Sequence, residues 1–179
     1  MRIISGNYKG RRITAPKKLP VRPTTDMAKE SLFNILRNSF TFSQVKVLDL
    51  FSGTGNISYE FASRSCTSIT AVDQDMGCVR FIEKTANELE MPIIAIKNDV
   101  IKFLDRSPGT YDIIFADPPY NLDKSEFLKL ADKVFEKELL LPNGVLIIEH
   151  SKLMSLDEHP NLQETRKYGS SSFSFFGAK

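Results

Sequence analysis

Apolar positions along this chain change their period, and the changes mark out its elements. Val45–Leu50, Ser68–Val72, Pro92–Ile96, Tyr111–Ala116 and Val145–Glu149 are short apolar runs of strand length, bounded by turn-forming or polar residues. Between them the period lengthens. Ile57–Ser63, Met76–Glu90, Val100–Leu104 and Glu126–Phe135 carry apolar residues at helical spacing, with Val79, Ile82 and Ala86 on one side of the second and Leu130 and Val134 on one side of the last. Strands that alternate with helices predict parallel βαβ units and an α/β, doubly wound, Rossmann-like sheet. Asn143-Gly144 reads as the turn ahead of Val145–Glu149.

Both ends break the rhythm. Gln163–Tyr168 and Ser172–Phe176 predict an antiparallel hairpin around Gly169, so the sheet is expected to hold seven strands, mostly parallel. Phe173 and Phe175 fall on one face of their strand and read as core. At the start, Met1–Ile4 and Arg11–Thr14 predict a small β-hairpin around Gly6–Gly10. Pro16, Pro20 and Pro23 are expected to keep the next stretch extended. Thr24, Thr25 and Asp26 then offer caps for a helix with Ala28, Leu32, Ile35 and Leu36 on its apolar face. The expected division is a basic extension over residues 1–23 and a Rossmann-like domain over 24–179.

Composition narrows the class. With 41% hydrophobic and 26% charged residues among 179, the chain reads as an ordinary globular protein with enough length for a sizeable core. The absence of a long apolar run argues against a signal peptide or membrane span, so a cytoplasmic protein is expected. Cys66 and Cys78 are too few for a disulfide framework or a zinc site and read as reduced, partly buried thiols. The net charge of +2 is unevenly spread. Arg2, Lys9, Arg11, Arg12, Lys17, Lys18 and Arg22 precede the first acid, which leaves a net acidic body behind a basic arm. That asymmetry points to a polyanionic partner. His150 and His159 read as surface or cap residues.

Four strand ends carry candidate chemistry. Asp49-Leu50-Phe51-Ser52-Gly53-Thr54-Gly55-Asn56 follows the first strand of the alternation. Its glycines permit a sharp turn and close approach of a ligand, but no Gly-Lys-Ser/Thr follows and Ser58 stands where a dinucleotide fingerprint has its third glycine. An acid before that turn repels phosphate and suits a cationic ligand with an amino group. Asp73 ends the second strand, at the spacing where an acid accepts hydrogen bonds from both hydroxyls of a ribose, while Asp75 reads as a helix cap. Asn98-Asp99 ends the third strand, where Asp99 suits an adenine amine, a helix cap, or both.

The fourth end carries Asp117-Pro118-Pro119-Tyr120. Two prolines fix the backbone, so the Pro118 carbonyl has a set direction beside the Asp117 carboxylate. Together they can accept both hydrogens of a planar exocyclic amine. Such an amine donates its lone pair into the base ring and is a poor nucleophile. Acceptors on its hydrogens pull the nitrogen toward tetrahedral geometry and free the lone pair. Tyr120 supplies an aromatic face for the base.

These motifs resemble the DPPY-type class I S-adenosylmethionine methyltransferases, and most closely the RsmD family of 16S rRNA guanine-N2 methyltransferases. The resemblance covers nearly the whole chain: Met1-Arg2-Ile3-Ile4-Ser5-Gly6, Gly10-Arg11-Arg12, Arg22-Pro23-Thr24-Thr25-Asp26, Glu30, Leu32-Phe33-Asn34, Asp49–Gly55, Glu60, Ser63-Arg64, Asp117–Tyr120 and Tyr168-Gly169. It implies S-adenosylmethionine as cofactor and no metal. By this resemblance Asp49, Phe51, Gly53, Gly55 and Asn56 line the methionine end of the cofactor, Asp73 holds its ribose, Gln74 lies beside its adenine, and Asp99 and Val100 flank that ring. Asp117, Pro118 and Tyr120 hold a flipped guanine. Arg22, Thr24 and Thr25 form a loop over the site, and Arg2, Lys9, Arg11 and Arg12 grip the RNA. The expected partner is 16S rRNA or an assembly intermediate of the small subunit, met by a monomer away from membranes. Asp73 stands where the family often has Glu, and Ser65-Cys66 replaces a small Gly-Ala pair. Three rival readings are a DNA adenine-N6 methyltransferase, whose target-recognition domain has no room here, a protein glutamine methyltransferase, whose motif opens on Asn, and a non-catalytic RNA-binding assembly factor.

Overall fold

A computed structural model describes residues 1–179. Its sheet has seven strands in the order β3-β2-β1-β4-β5-β7-β6. They are β1 (Lys46–Leu50), β2 (Ser68–Asp73), β3 (Ile93–Lys97), β4 (Tyr111–Ala116), β5 (Leu140–Ser151), β6 (Leu162–Tyr168) and β7 (Ser171–Phe176). The first five pair in parallel. β7 runs antiparallel to both β5 and β6 and lies between them. The helices are α1 (Asp26–Leu36), α2 (Asn56–Ser63), α3 (Met76–Glu88), α4 (Val100–Arg106) and α5 (Lys124–Glu136). None is long and apolar enough to cross a membrane.

The apolar runs are continuous because both faces of the sheet are covered. Successive side chains alternate between two cores. Val47, Ile69, Ile113, Phe115 and Ile147 face α1, α2 and α3, together with Phe173 and Phe175. Leu48, Leu50, Val72, Ile114, Ala116 and Ile148 face α4 and α5. The order of strands reverses between β1 and β4, and their carboxyl ends open the crevice where such sheets bind ligands.

Sequence-based expectations hold for most elements, and three local corrections have physical causes. The N-terminal hairpin forms around an antiparallel bridge between Arg2 and Arg12, with Ile3 N–H donating to the Arg11 carbonyl and Ile13 N–H to the Met1 carbonyl, both at 2.9 Å. Its remaining backbone groups turn to α2: Ile4 N–H donates to the Glu60 carboxylate at 2.9 Å, Asn7 N–H to the Ser63 carbonyl at 2.7 Å, and Tyr8 N–H to the Ser63 hydroxyl at 3.0 Å. Ile3 and Ile13 are thereby buried in the core beside α1 and α2. The approach is so close that a Cβ on Gly6, whose φ is +88°, would lie 1.9 Å from the Ser63 carbonyl oxygen. The proline-rich stretch is not simply extended, because Leu19 N–H returns to the Pro16 carbonyl at 3.1 Å.

Asn143-Gly144 does not precede the next strand but interrupts it. β5 runs through Leu140–Ser151, with Asn143 at φ 64° and a shift of register against β4 between Tyr111 and Ile113. Both histidines are buried rather than at the surface. His150 bonds the Ser174 hydroxyl at 2.7 Å and the Ser151 carbonyl at 2.8 Å. His159 meets Asp132 at 3.1 Å with its ring against Phe135 and Phe176.

Candidate active site

A cavity of about 680 Å³ opens at the carboxyl ends of β1, β2 and β4. Asp49, the fourth residue of β1, is fully buried and accepts a hydrogen bond from the Ser58 hydroxyl at 2.7 Å. Burial pushes its carboxyl up to about 7, against the Ser58 bond, and the nearby Asp73 adds to the rise. No cation stands beside it. After β1 the chain turns through Phe51, which takes a left-handed φ of 54° although it is not glycine. Gly55, at φ 92°, caps α2, and a Cβ there would lie 2.7 Å from the Tyr59 ring. Ser52 also lines the cavity, and its buried hydroxyl has no partner.

Asp73 closes β2 and is not a helix cap. Its carboxylate accepts from Gly53 N–H and Asp75 N–H, both at 2.9 Å, and each oxygen keeps a lone pair for a ligand. Asp75 caps α3 by accepting from Cys78 N–H at 2.9 Å. Asp99 caps α4 through Lys102 N–H at 3.0 Å and also lines the cavity with Gln74 and Val100. The helix cap is thus formed, and the same residue faces the cavity.

The Asp117 backbone N–H bonds the Leu50 carbonyl at 3.3 Å, which ties the end of β4 to the end of β1. The Asp117 carboxyl is held well above the usual carboxylate range. Burial is the main cause, Glu149 and Asp49 add to it, and the Arg22 guanidinium opposes it. Pro118, Pro119 and Tyr120 continue the cavity wall. Tyr120 is 46% exposed, and the Arg22 guanidinium lies 3.9 Å from its ring centroid.

Most of the expected site residues come together. Arg22, Thr24, Asp49, Phe51, Gly53 and Asn56 line this single cavity with Asp73, Gln74, Asp99, Val100, Asp117, Pro118 and Tyr120. Gly55 shapes the turn from beneath, and Thr25 caps α1 by accepting from Ala28 N–H at 3.3 Å. Arg2, Lys9, Arg11 and Arg12 lie outside the cavity on the exposed N-terminal segment, where Arg2 pairs with Asp26 at 3.2 Å. The side chain of Asn56 is committed to the protein: its amide donates to the Thr24 carbonyl at 3.1 Å and accepts from Lys29 Nζ at 2.8 Å.

Two residues at the site went unread in the sequence. Glu149, near the end of β5, is buried and accepts from the Thr24 hydroxyl at 2.6 Å. Burial raises its carboxyl, while Thr24, Arg22 and Ser171 hold it down. Lys29 is a buried ammonium bonded to Asn56 and to the Arg2 carbonyl at 2.6 Å, with burial lowering its proton affinity and Glu60 and Asp26 sustaining it. Each carried a signal. Glu149 is an acid closing an apolar strand, as Asp73 does, and Lys29 falls on the apolar face of α1 between Ala28 and Leu32.

Comparison with known proteins gives the family and supports the fold. The family model described as conserved hypothetical protein 95 matches residues 1–177. The ribosomal RNA small subunit methyltransferase D of Buchnera aphidicola subsp. Baizongia pistaciae is 33% identical over 164 residues, covering 90% of this chain and 82% of its own. The protein of the same name from Buchnera aphidicola subsp. Acyrthosiphon pisum is 31% identical over 156 residues, covering 86% and 80%. Among solved structures, a hypothetical protein of Thermus thermophilus superposes with a TM-score of 0.86 over 99% of both chains at 23% identity, which speaks for the fold. Sequence, fold and strand-end acids converge, and the chain belongs to the RsmD family of ribosomal RNA methyltransferases.

Proposed function

We propose that this protein transfers the methyl group of S-adenosylmethionine to the exocyclic N2 amine of a guanine in 16S ribosomal RNA. The supporting observation is that the Asp117-Pro118-Pro119-Tyr120 turn and the acids Asp49 and Asp73 line one cavity. An amine acceptor and a pocket for a cationic nucleoside therefore share a single void. Asp49, with no cation beside it, suits the ammonium of the methionine portion, and Asp73 keeps lone pairs for ribose hydroxyls. When bound, S-adenosylmethionine supplies a sulfonium-activated methyl that needs no metal.

The protein's own contribution is alignment and electrostatics. The Asp117 carboxylate and the Pro118 carbonyl accept the amine hydrogens, so the N2 lone pair turns toward the methyl carbon. A nitrogen–carbon bond forms as the carbon–sulfur bond breaks, S-adenosylhomocysteine leaves, and one N2 proton is released. Because burial raises the Asp117 carboxyl, it must lose its proton to solvent before the step, and the carboxylate so formed supports the positive charge that builds on nitrogen. Tyr120 borders the base, and the basic segment 1–23, through Lys9, Arg11 and Arg12 above all, holds the phosphates. Arg22, Thr24 and Thr25 belong to the strap beside the base. An rRNA substrate places the reaction in the cytoplasm, on RNA or on an assembling small subunit, with the protein acting as a monomer.

The test is methyl transfer from labelled cofactor to ribosomal RNA of cells lacking this protein, with the modified base then mapped. The label is expected on N2 of one guanine in the small-subunit RNA. Asp117→Asn should lower kcat by at least about 100-fold while cofactor affinity stays within a few-fold of wild type. Label on adenine or on protein, or equal loss of binding and turnover, overturns the reading.

A further inference from the structure

Glu149 stands beside Asp117 by register. Ala116 of β4 pairs with Ile148 of β5, so the next residue on each strand is one of the two acids. Phe115 and Ile147 share a core face, and alternation returns Asp117 and Glu149 to that face two residues later. Glu149 is 2% exposed and does not line the cavity. Its effect on the site therefore passes through its neighbours.

Those neighbours lead to both halves of one stack. On one side, the Glu149 carboxylate takes the Thr24 hydroxyl at 2.6 Å. Thr24 is held at its other end by Asn56, and it ends the strap whose Arg22 lies on Tyr120. On the other side Ser171 is the diagonal neighbour of Glu149 across β5 and β7, since Glu149 opposes Phe173, and Ser171 reaches the Tyr120 hydroxyl at 3.4 Å. We propose that Glu149 is a positioning residue for the target base: through Thr24 it fastens the strap whose Arg22 stacks on Tyr120 beside Asp117. The proposal rests on the RNA-methylation reading above for its consequence, but the latch itself is a property of the free protein.

A residue without a side-chain acceptor would leave the Thr24 hydroxyl unheld, and the strap has few other ties: the Asn56 amide on the Thr24 carbonyl, Val21 N–H to the Leu19 carbonyl, and Val21 against Gly53. Without the latch, Arg22 has no fixed place over the ring. The surface that must receive a flipped base then becomes an ensemble, and capture of RNA suffers before chemistry does.

Four proteins test this: wild type, Glu149→Ala, Glu149→Gln and Thr24→Val. Backbone amide exchange over residues 17–25 reads the latch directly. Exchange there should quicken about tenfold in Glu149→Ala and Thr24→Val, the effect of losing one buried hydrogen bond. Glu149→Gln, whose amide oxygen still accepts from Thr24, should stay close to wild type. In methylation assays Glu149→Ala and Thr24→Val should each raise KM for RNA about tenfold with a smaller change in kcat. The double variant should be no worse than the worse single one, because both remove the same bond. Unchanged exchange in Glu149→Ala, or additive losses in the double variant, overturns the proposal. If wild type methylates no RNA the functional reading fails, and the exchange data still decide whether the latch exists.

Discussion

At the scale of single residues, the acids at strand ends are poised by burial. Asp49 is the clearest case, with a carboxyl near 7 in the free protein. An ammonium ligand needs it ionised, so affinity for S-adenosylmethionine should rise between pH 6 and 8 and then level off. Titration calorimetry in buffers of different ionisation enthalpy should show proton release on binding near pH 7. Asp49→Asn should bind more weakly and lose that pH dependence; an unaltered dependence would assign it elsewhere. The sign for stability is opposite. A folded-state value above the unfolded one favours the fold below the unfolded pKa and loses that contribution as pH rises through about 7. For about three units the difference is at most ~4 kcal/mol. Cofactor-induced gain in Tm should therefore be larger at pH 8 than at pH 6. Asp49, Asp73 and Asp117 were legible because each closes an apolar run next to a turn. Glu149 was not, because its meaning comes from Thr24, 125 residues away in the chain.

At the scale of elements, periodicity located the α-helices and the strands of the sheet, most of which bury one face or both. It failed where turn chemistry sits inside a paired strand. The Asn-Gly pair in β5 has turn chemistry, but pairing with β4 resumes on its far side. The hairpin of the first residues forms as its composition suggests and is fastened to α2 through Glu60 and Ser63. The capping box of α5, where Asp123 accepts from Glu126 N–H and Glu126 returns to Asp123 N–H, extends that helix ahead of the expected Glu126. Docking of the N-terminal segment depends on Gly6. Gly6→Ala should destabilise the protein by about 3 kcal/mol, through overpacking against α2 and a left-handed backbone. Urea denaturation measures this; a change under about 0.5 kcal/mol would mean that the segment docks in some other way.

At the scale of the whole molecule, charge and topology divide the labour. The sheet places its acids at one end, and the basic residues of the N-terminal segment, Arg22 apart, remain exposed outside the cavity. Converting Arg11 and Arg12 to Gln should weaken RNA binding and lower the slope of log affinity against log salt by about 0.7 for each phosphate left without its cation. Cofactor binding should not change. A slope identical to wild type would remove these residues from the RNA footprint.

The strand order also constrains how the molecule is made. β7 follows β6 in the chain but lies between β6 and β5. During synthesis β6 has no neighbour to join, and β5 presents an open flank, until residues 171–176 are available. The nascent chain must wait with an unsealed margin, and a transcript cut short before that point yields a product that neither closes nor stays out of trouble with its own kind.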